Sequence, residues 1–326
     1  MSRLLRLDPF LIALVLTVVA ASVLPCRGSF AVFMAGLTDA GIALLFFLHG
    51  ARLSRAAILG GIGAWRIHAL ALATTFLFFP AVGLTFRWVF GTWLNPVITD
   101  GILFLCLLPS TVQSSIAFTS IARGNVPAAV CSASASNVLG IFLTPLAVGL
   151  LLMRGQAGSF SLGSLGAIVL QLLMPFVAGH LSRPWTARVV AERKAILSKV
   201  DRGTILLVVY TAFSAAVSEG LWRRYSGSDL ALTVLLDGAV LAAALIFTTW
   251  VSRTAGLSRS DETVVVFCGS KKSLASGVPM AGVLFPPALL GPMILPLMLF
   301  HQIQLMVCAV LAQRYAQRNN DSAAEH

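Results

Sequence analysis

Apolar residues fill the chain in long runs that short polar segments separate. A helix that crosses a bilayer needs about 20 mostly apolar residues, and ten segments come near that length. We number them spans one to ten, at roughly 9–26, 32–50, 65–86, 99–121, 126–152, 164–182, 203–220, 229–252, 262–285 and 292–312. The pattern predicts an all-α polytopic membrane protein, with one integral membrane domain over residues 1–326.

The ten spans divide into two halves of five, at about residues 1–155 and 156–326. Because five is odd, a repeat of this kind is inverted in the membrane. Span four contains LLPSTVQSSIAF, and its counterpart, span nine, contains CGSKKSLASGVP. Paired interruptions in corresponding spans point to the central site of a transporter, since a broken helix frees carbonyls and helix ends to hold charged groups. We expect spans four and nine to be discontinuous helices.

Composition supports the membrane assignment. Hydrophobic residues make up 58% of the chain and charged residues 11%, against about 45–50% and about 25% in soluble domains. If the N-terminus is inside, 16 of the 23 Lys and Arg residues lie in inside segments and five in outside segments. Basic residues favour cytoplasmic loops, so we expect both termini in the cytoplasm. The bias explains the net charge of +11 without a nucleic-acid partner. The polar stretch at 183–202 is expected to be a loop.

Two lysines, Lys271 and Lys272, lie about nine residues into span nine, which is near mid-membrane at about 1.5 Å per residue. Ionisable groups at this depth are costly and point to a functional site. Asp237, near the middle of span eight, is the natural partner, because opposite charges could neutralise each other or exchange a proton. The other interpretation is a structural ion pair that fixes helix packing.

Neutral polar residues complete the candidate site. Ser132 and Ser136 share a helix face because they are four residues apart, although small residues also let membrane helices pack closely. A lone histidine such as His301 in span ten more often packs than carries protons. The candidate ion- and substrate-binding residues are Gln113, Ser114, Ser115, Ser132, Ser136, Asn137, Asp237, Lys271, Lys272, Ser273 and His301.

Signals for an enzyme or a metal centre are weak. The chain has no HExxH or GxSxG motif, and GSKKS lacks the earlier glycine of a phosphate-binding loop. A Ser–Lys dyad at Ser270 or Ser273 would need an activated lysine and an oxyanion hole and is disfavoured. The five cysteines lack metal-binding spacing. We therefore expect no enzyme and no cofactor apart from a coupling ion.

Several motifs resemble those of a known family. FFLHGARLS at the end of span two, ARGN and FLTPL, together with LPSTVQSS, CSASASN and GSKKSLASGVPMA, resemble the bile acid:sodium symporter family. The resemblance covers nearly the whole chain. It is strongest to the branch that holds bacterial sodium-dependent transporters and member 7 of solute carrier family 10, which implies a bacterial inner membrane.

This resemblance implies a fold and a mechanism. Spans one, two, six and seven would form a panel domain and the others a core domain, with discontinuous helices four and nine crossing at its centre. Family members take up small organic anions with sodium by alternating access. A non-transporting regulator, which uses the same fold to bind membrane lipids or another partner, is the alternative.

The resemblance also places sodium near Ser114, Ser115 and Ser132. The hydroxyls of Ser114 and Ser115 follow Pro109 where the family has Ser-Asn, and Ser132 and Ser136 stand near the helix-five ligands. Sodium coupling is what the family pattern implies at these positions.

Span nine departs from the family pattern. The family's motif in this span is Glu-Val-Gly-any-Gln-Asn. When its glycine is aligned on Gly269, Phe267 stands at the glutamate, and Lys271 and Lys272 stand at the last two positions. An ammonium there would repel sodium by several kcal/mol. We expect a lysine to replace sodium as a built-in cation, which either binds the anion or couples transport to protons.

Overall fold

The computed structural model describes residues 9–52, 62–91, 95–152, 162–224 and 226–324. Every regular element in these ranges is helical. In chain order the helices are α1 (Pro9–Val23), α2 (Gly28–Arg52), α3 (Trp65–Ala73), α4 (Phe79–Phe90), α5 (Pro96–Leu107), α6 (Gln113–Ile121), α7 (Val126–Leu151), α8 (Leu162–Leu181), α9 (Arg183–Glu192), α10 (Lys194–Ser218), α11 (Leu221–Arg224), α12 (Gly227–Thr254), α13 (Arg259–Gly269), α14 (Leu274–Leu284) and α15 (Pro287–Ala324). A 3₁₀ turn (Ile62–Ala64) precedes α3, and a π turn (Thr74–Phe78) joins α3 to α4.

Six helical segments of the described chain are long and apolar enough to cross a membrane. They are Gly28–Arg52, Trp65–Phe90, Val126–Leu151, Lys194–Ser218, Gly227–Thr254 and Pro287–Gln317. Shorter apolar helices occupy Ile12–Val23, Pro96–Leu107 and Val169–Leu181. Each of the ten spans read from the sequence overlaps a helix, and spans four and nine are each divided in two. The chain is an integral membrane protein, and the part that the structure describes is all-helical.

The polar stretch at 183–202 is helical, so the expectation of a loop was wrong. Pro184 lies in the first turn of α9, where its missing N–H costs no hydrogen bond. Arg188 and Glu192, one helical turn apart, form an exposed ion pair at 2.8 Å. Together with the next helix start at Lys194, these features make a surface helix from a segment too polar to cross the membrane.

Side-chain caps define where several helices begin. Asn95 accepts a hydrogen bond from the amide of Val97 at 3.1 Å, and Asn125 accepts one from the amide of Ala128 at 3.1 Å. A proline follows each of these asparagines within two residues. Ser258 caps α13 in the same way. Such caps satisfy amides that have no partner inside the helix, and they fix the first residues of α5, α7 and α13.

The chain divides into two compact units. The first contains Met1–Arg52, Leu170–Ser226 and Val278–Pro292. Within it α2 and α8 touch through Gly50 and Gly179, since a Cβ on either glycine would overlap the carbonyl of Phe176 or Phe47 respectively. Small residues allow membrane helices this close approach.

The second unit contains Leu53–Val169, Gly227–Gly277 and Met293–His326. An apolar cluster of buried side chains holds α3, α7 and α13 together in it; its members include Ile67, Ala71, Ala129, Ala133, Val264 and Val265. Both interruptions lie in this unit, so it contains all of the geometry that follows.

Candidate functional site

The first interruption separates α5 from α6. Helix α5 ends at Leu107, and Leu108 is extended, with φ −79° and ψ 156°. The residue before a proline is disfavoured in the helical region, so Pro109 explains this break. Ser110 and Thr111 continue the non-helical segment, and the chain resumes as a helix at Gln113.

The second interruption separates α13 from α14. Helix α13 ends at Gly269, and α14 starts at Leu274. The hydroxyl of Ser273 accepts a hydrogen bond from the amide of Ser276 at 3.1 Å, which caps the new helix. Lys271 and Lys272 therefore lie on non-helical backbone between a helix end and a helix start.

The two interruptions are joined directly. The amide of Ser273 donates to the carbonyl of Pro109 at 2.9 Å. Asn137 of α7 bridges both segments, because its Nδ2 donates to the Ser110 carbonyl at 2.7 Å and its Oδ1 accepts from the Ser276 hydroxyl at 2.7 Å. The hydroxyl of Ser136 accepts from the Ser110 amide at 3.0 Å. Ser136 and Asn137 thus fix the crossing of the two broken helices.

Lys272 is surrounded by backbone carbonyls. Its Nζ donates to the carbonyls of Thr75, Cys106 and Leu108 at 2.9, 2.9 and 2.7 Å, and it lies 4.1 Å from the centre of the Phe79 ring. Thr75 belongs to the π turn, and the other two carbonyls lie at the end of α5, where the helix dipole places about half a negative charge. An ammonium has three N–H donors, and all three are used.

Gln304 of α15 fixes the backbone of the same lysine. Its Oε1 accepts from the Lys272 amide at 3.0 Å, and its Nε2 donates to the Lys272 carbonyl at 2.9 Å. The same Nε2 donates to Nδ1 of His301 at 2.8 Å. His301 therefore touches the site through Gln304, and the lysine is held at both its backbone and its ammonium.

Lys271 has a different environment. Its Nζ donates to the carbonyl of Ser114 at 3.0 Å and lies 3.7 Å from the centre of the Phe118 ring and 5.4 Å from that of Phe267. Aromatic faces attract cations, so the residue in the family's glutamate position, Phe267, supplies a ring face. One hydrogen bond leaves two of the three N–H donors without a hydrogen-bond acceptor in the described chain.

Hydroxyl groups cluster beside Lys271. Thr111 Oγ1 lies 2.6 Å from Ser114 Oγ and 3.0 Å from Ser115 Oγ, and Ser115 donates to the Phe267 carbonyl at 2.8 Å. Ser132 makes its hydrogen bond elsewhere, at 2.5 Å from Nδ1 of His68. The structure thus groups Ser114 with Ser115 and places Ser132 against α3.

Asp237 does not pair with either lysine. The ion pairs in the described chain are Arg52–Asp201, Arg87–Asp100, Arg188–Glu192 and Arg253–Glu262. Both carboxylate oxygens of Asp237 are buried without a hydrogen-bond partner among the described residues. All three N–H groups of the Lys272 ammonium already donate to carbonyls, which explains why the expected pair with Asp237 does not form.

A bound sodium would meet a cation at this place. Two unit charges about 4 Å apart repel by about 4 kcal/mol at an effective dielectric constant near 20, and the Lys271 ammonium lies on the Ser114 carbonyl. The Ser114 carbonyl therefore already has a cation at hydrogen-bond distance.

Sequence reasoning missed several partners in the site. The carbonyls of Thr75, Cys106 and Leu108 carry no sequence signal, because every residue has a carbonyl. Gln304 did have a signal, as a polar residue inside span ten. The adjacent threonines of span three, Thr74 and Thr75, also mark the π turn, where their hydroxyls bond to carbonyls one turn back.

Two joined helix breaks in a helical membrane domain are typical of membrane transporters. A model of the SBF-like CPA transporter family matches residues 8–317, and the chain belongs to this family. The resemblance read from the motifs is thereby confirmed.

The sequences of several relatives align with most of this chain. An uncharacterised protein of Pseudomonas aeruginosa PAO1 is 57% identical over 318 residues, which are 97% of this chain and 95% of that protein. YfeH of Escherichia coli K12, provisionally named a symporter, is 52% identical over 319 residues, or 98% and 96% of the two chains. Sodium/bile acid cotransporter 7 of Danio rerio is 25% identical over 279 residues, or 84% and 82%.

Proposed function

We propose that the protein is a secondary active transporter of a small organic anion, which works by alternating access in the bacterial inner membrane. The observation that carries the proposal is the buried pair Lys271 and Lys272, two cations at the joined breaks of two helices in a chain of a transporter family. A positive centre at a helix crossing suits an anionic cargo, and relatives are named for symport and for bile acids, which are organic anions.

The proposed architecture has ten membrane helices in two inverted repeats of five, near residues 1–155 and 156–326, within a single domain and with both termini cytoplasmic. Spans one, two, six and seven form the panel and the others the core. The first compact unit supports this division, because it collects α1, α2, most of α8 and α10. It also includes Val278–Pro292, so its limits differ from the proposed panel at the end of span nine.

The two lysines have separate roles in this proposal. Lys272, with all three N–H groups on carbonyls, is the built-in cation that takes the place of sodium at the crossing. Lys271, with one hydrogen bond and two ring contacts, has donors left for an anion. Gln113, exposed at the start of α6, and the hydroxyls of Ser114 and Ser115 line the approach to it.

Coupling follows from the same assignment. Sodium coupling would place a second cation beside Lys271, near Ser114, Ser115 and Ser132, at the electrostatic cost given above. Protons carry no such penalty when they bind a carboxyl. We therefore place proton coupling before sodium coupling for this chain.

Flux through purified protein in liposomes tests the proposal. The probe is a panel of radiolabelled organic anions that includes a bile acid, aliphatic dicarboxylates and organic sulfates, measured by counterflow. Lys271→Gln should abolish counterflow of the anion that the wild type carries, whereas Lys194→Gln, an exposed lysine at the start of α10, should leave it unchanged.

Three results would contradict the proposal or a part of it. A wild-type protein that moves none of the panel, but is stabilised by membrane lipids, is a non-transporting binding protein. Unchanged counterflow in Lys271→Gln would remove this lysine from the anion site. Stabilisation of the wild type by sodium chloride but not by choline chloride, with no anion present, would favour a sodium site over a built-in cation.

A further inference from the structure

Asp237 is a buried carboxyl that has no side-chain partner among the described residues; the polar group that faces it is the backbone of Phe300 in α15. It lies in the middle of α12 with none of its surface exposed, and neither oxygen has a hydrogen-bond partner among the described residues. Buried polar groups in proteins are almost always hydrogen-bonded, and each exception calls for an explanation such as a bound species or a functional role.

The protonation state follows from the surroundings. An ionised carboxylate in an apolar site costs several kcal/mol unless a cation or hydrogen-bond donors compensate it. None of the described ion pairs includes Asp237. The carboxyl is therefore neutral in this conformation, which means that it holds a proton.

Cys106 of α5 connects the surroundings of Asp237 with those of Lys272. The thiol of Cys106 lies within electrostatic range of both Asp237 and Lys272, and the Cys106 carbonyl is one of the three that hold the Lys272 ammonium. A carboxylate formed at Asp237 would thus share the neighbour Cys106 with the fixed cation of Lys272.

Other titratable side chains on the helices around α12 have partners of their own. Arg66 donates to the carbonyl of Ala255, and His68 contacts Ser132. Arg87 pairs with Asp100, and Glu262 bonds to Arg253 and Tyr315. Asp261 bonds to Asn125 and Ser258, and Arg259 is exposed. Cys268 contacts the Ala129 carbonyl, and His301 contacts Gln304. Among the carboxyls of these helices, Asp237 differs in that neither of its oxygens has a hydrogen-bond or ion-pair partner among the described residues.

We infer that Asp237 carries the proton that couples anion transport to the proton gradient. The inference rests on the proposed function and names its coupling ion. In the conformation open to the outside, the Asp237 carboxylate takes a proton from the external water, an O–H bond forms, and the neutral carboxyl is buried together with the bound anion. In the conformation open to the inside, this O–H bond breaks, its electron pair stays on the carboxylate, and the proton passes to the internal water. The carrier then returns without the anion and without the proton, so one proton moves inward with each anion.

Infrared spectroscopy of the protein alone tests the protonation state. At neutral pH the wild type should show the C=O band of a protonated carboxylic acid, which Asp237→Asn lacks and Asp39→Asn, the same change at an exposed residue of α2, retains. Titration of this band with pH in the wild type needs no variant, so the test survives poor folding of Asp237→Asn. If the wild type has no such band, Asp237 is ionised and the inference is wrong.

Transport separates this inference from the proposed function. In proteoliposomes an inwardly directed proton gradient should drive accumulation of the anion found by counterflow. Asp237→Asn should lose the accumulation and keep counterflow, because its neutral amide resembles the protonated acid and cannot release a proton. Accumulation in Asp237→Asn that equals the wild type would overturn the inference alone.

The same transport measurement with a sodium gradient distinguishes a proton from a sodium ion at Asp237. If a sodium gradient drives accumulation in the wild type, and Asp237→Asn loses it, the carboxyl is a sodium ligand and the proton assignment is wrong. Absence of any counterflow in the wild type would instead contradict the proposed function, while the infrared band would still report whether Asp237 holds a proton.

Discussion

The amide of Ser273 donates to the carbonyl of Pro109 at 2.9 Å, and through this bond the two interrupted helices of the second unit are joined. A proline carbonyl at one break and a capping serine at the other create the contact. Further bonds around this contact are made by Ser136, by Asn137 and by the ammonium of Lys272. Loss of any one of these hydrogen bonds should therefore lower the stability of the protein more than it changes ion or substrate binding.

Replacement of Asn137 should destabilise the crossing. Asn137→Leu removes the donor for the Ser110 carbonyl and the acceptor for the Ser276 hydroxyl. A buried group left without its partner costs about 1–3 kcal/mol. We expect a lower unfolding temperature in detergent by scanning fluorimetry, and a smaller decrease for Asn137→Asp, which keeps the acceptor. Leu146→Ala, at a lipid-exposed position of α7, is the control; equal effects of Asn137→Leu and this control would contradict the bridging role.

Truncation of Lys272 should create a site for a free amine. Lys272→Ala leaves the carbonyls of Thr75, Cys106 and Leu108 without their donor, so the unfolding temperature should fall. Propylammonium replaces the missing chain and should raise it again, whereas tetramethylammonium has no N–H and should not.

The neighbouring lysine gives the matched control for that rescue. Lys271→Ala loses one hydrogen bond, so propylammonium should stabilise it less than it stabilises Lys272→Ala. If propylammonium stabilises Lys272→Ala no more than the wild type, the three carbonyls are not a cation site.

Gln304 should be sensitive to a change of a single atom type. In Gln304→Glu an oxygen replaces Nε2, which loses the donors to the Lys272 carbonyl and to His301. We expect destabilisation of about 1–3 kcal/mol, measured by chemical unfolding in mixed micelles. The same substitution at Gln302, two residues away and half-buried, should cost less; the reverse order would show that Gln304 does not hold the lysine backbone.

The α2–α8 contact should not accept a methyl group. In Gly179→Ala the new Cβ would overlap the Phe47 carbonyl, and backbone must move to relieve it. Gly36→Ala in α2 meets nothing within 4 Å and should be neutral or slightly stabilising, because Ala favours a helix over Gly by about 0.5–1 kcal/mol. Thermal unfolding of both variants compares the two; equal stability would mean that α2 and α8 do not approach closely.

Much of the fold could be predicted from the pattern of apolar residues. Each span overlaps a helix, and the breaks follow from Pro109 and from the glycine and serines around Lys271 and Lys272. The polar helix α9 was missed, because a hydropathy pattern identifies membrane spans and says little about a charged surface helix.

The site could be predicted in outline but not in its pairing. Asp237 and Lys272 are of opposite charge and similar depth, which made an ion pair the natural expectation. The lysine instead satisfies its ammonium on backbone carbonyls at a helix end and a π turn. Such acceptors depend on how the helices come together, and no residue type identifies them in a sequence.

The carbonyls around Lys272 have a consequence for bioenergetics. A sodium ion crosses the membrane and adds its charge to each cycle, whereas an ammonium bonded to the chain returns with the protein and adds nothing. A monovalent anion carried alone would then move one negative charge against an interior-negative potential, at about 2.3 kcal/mol per 100 mV. With one proton on Asp237 in each cycle the transport of such an anion becomes electroneutral, and the membrane potential ceases to oppose uptake.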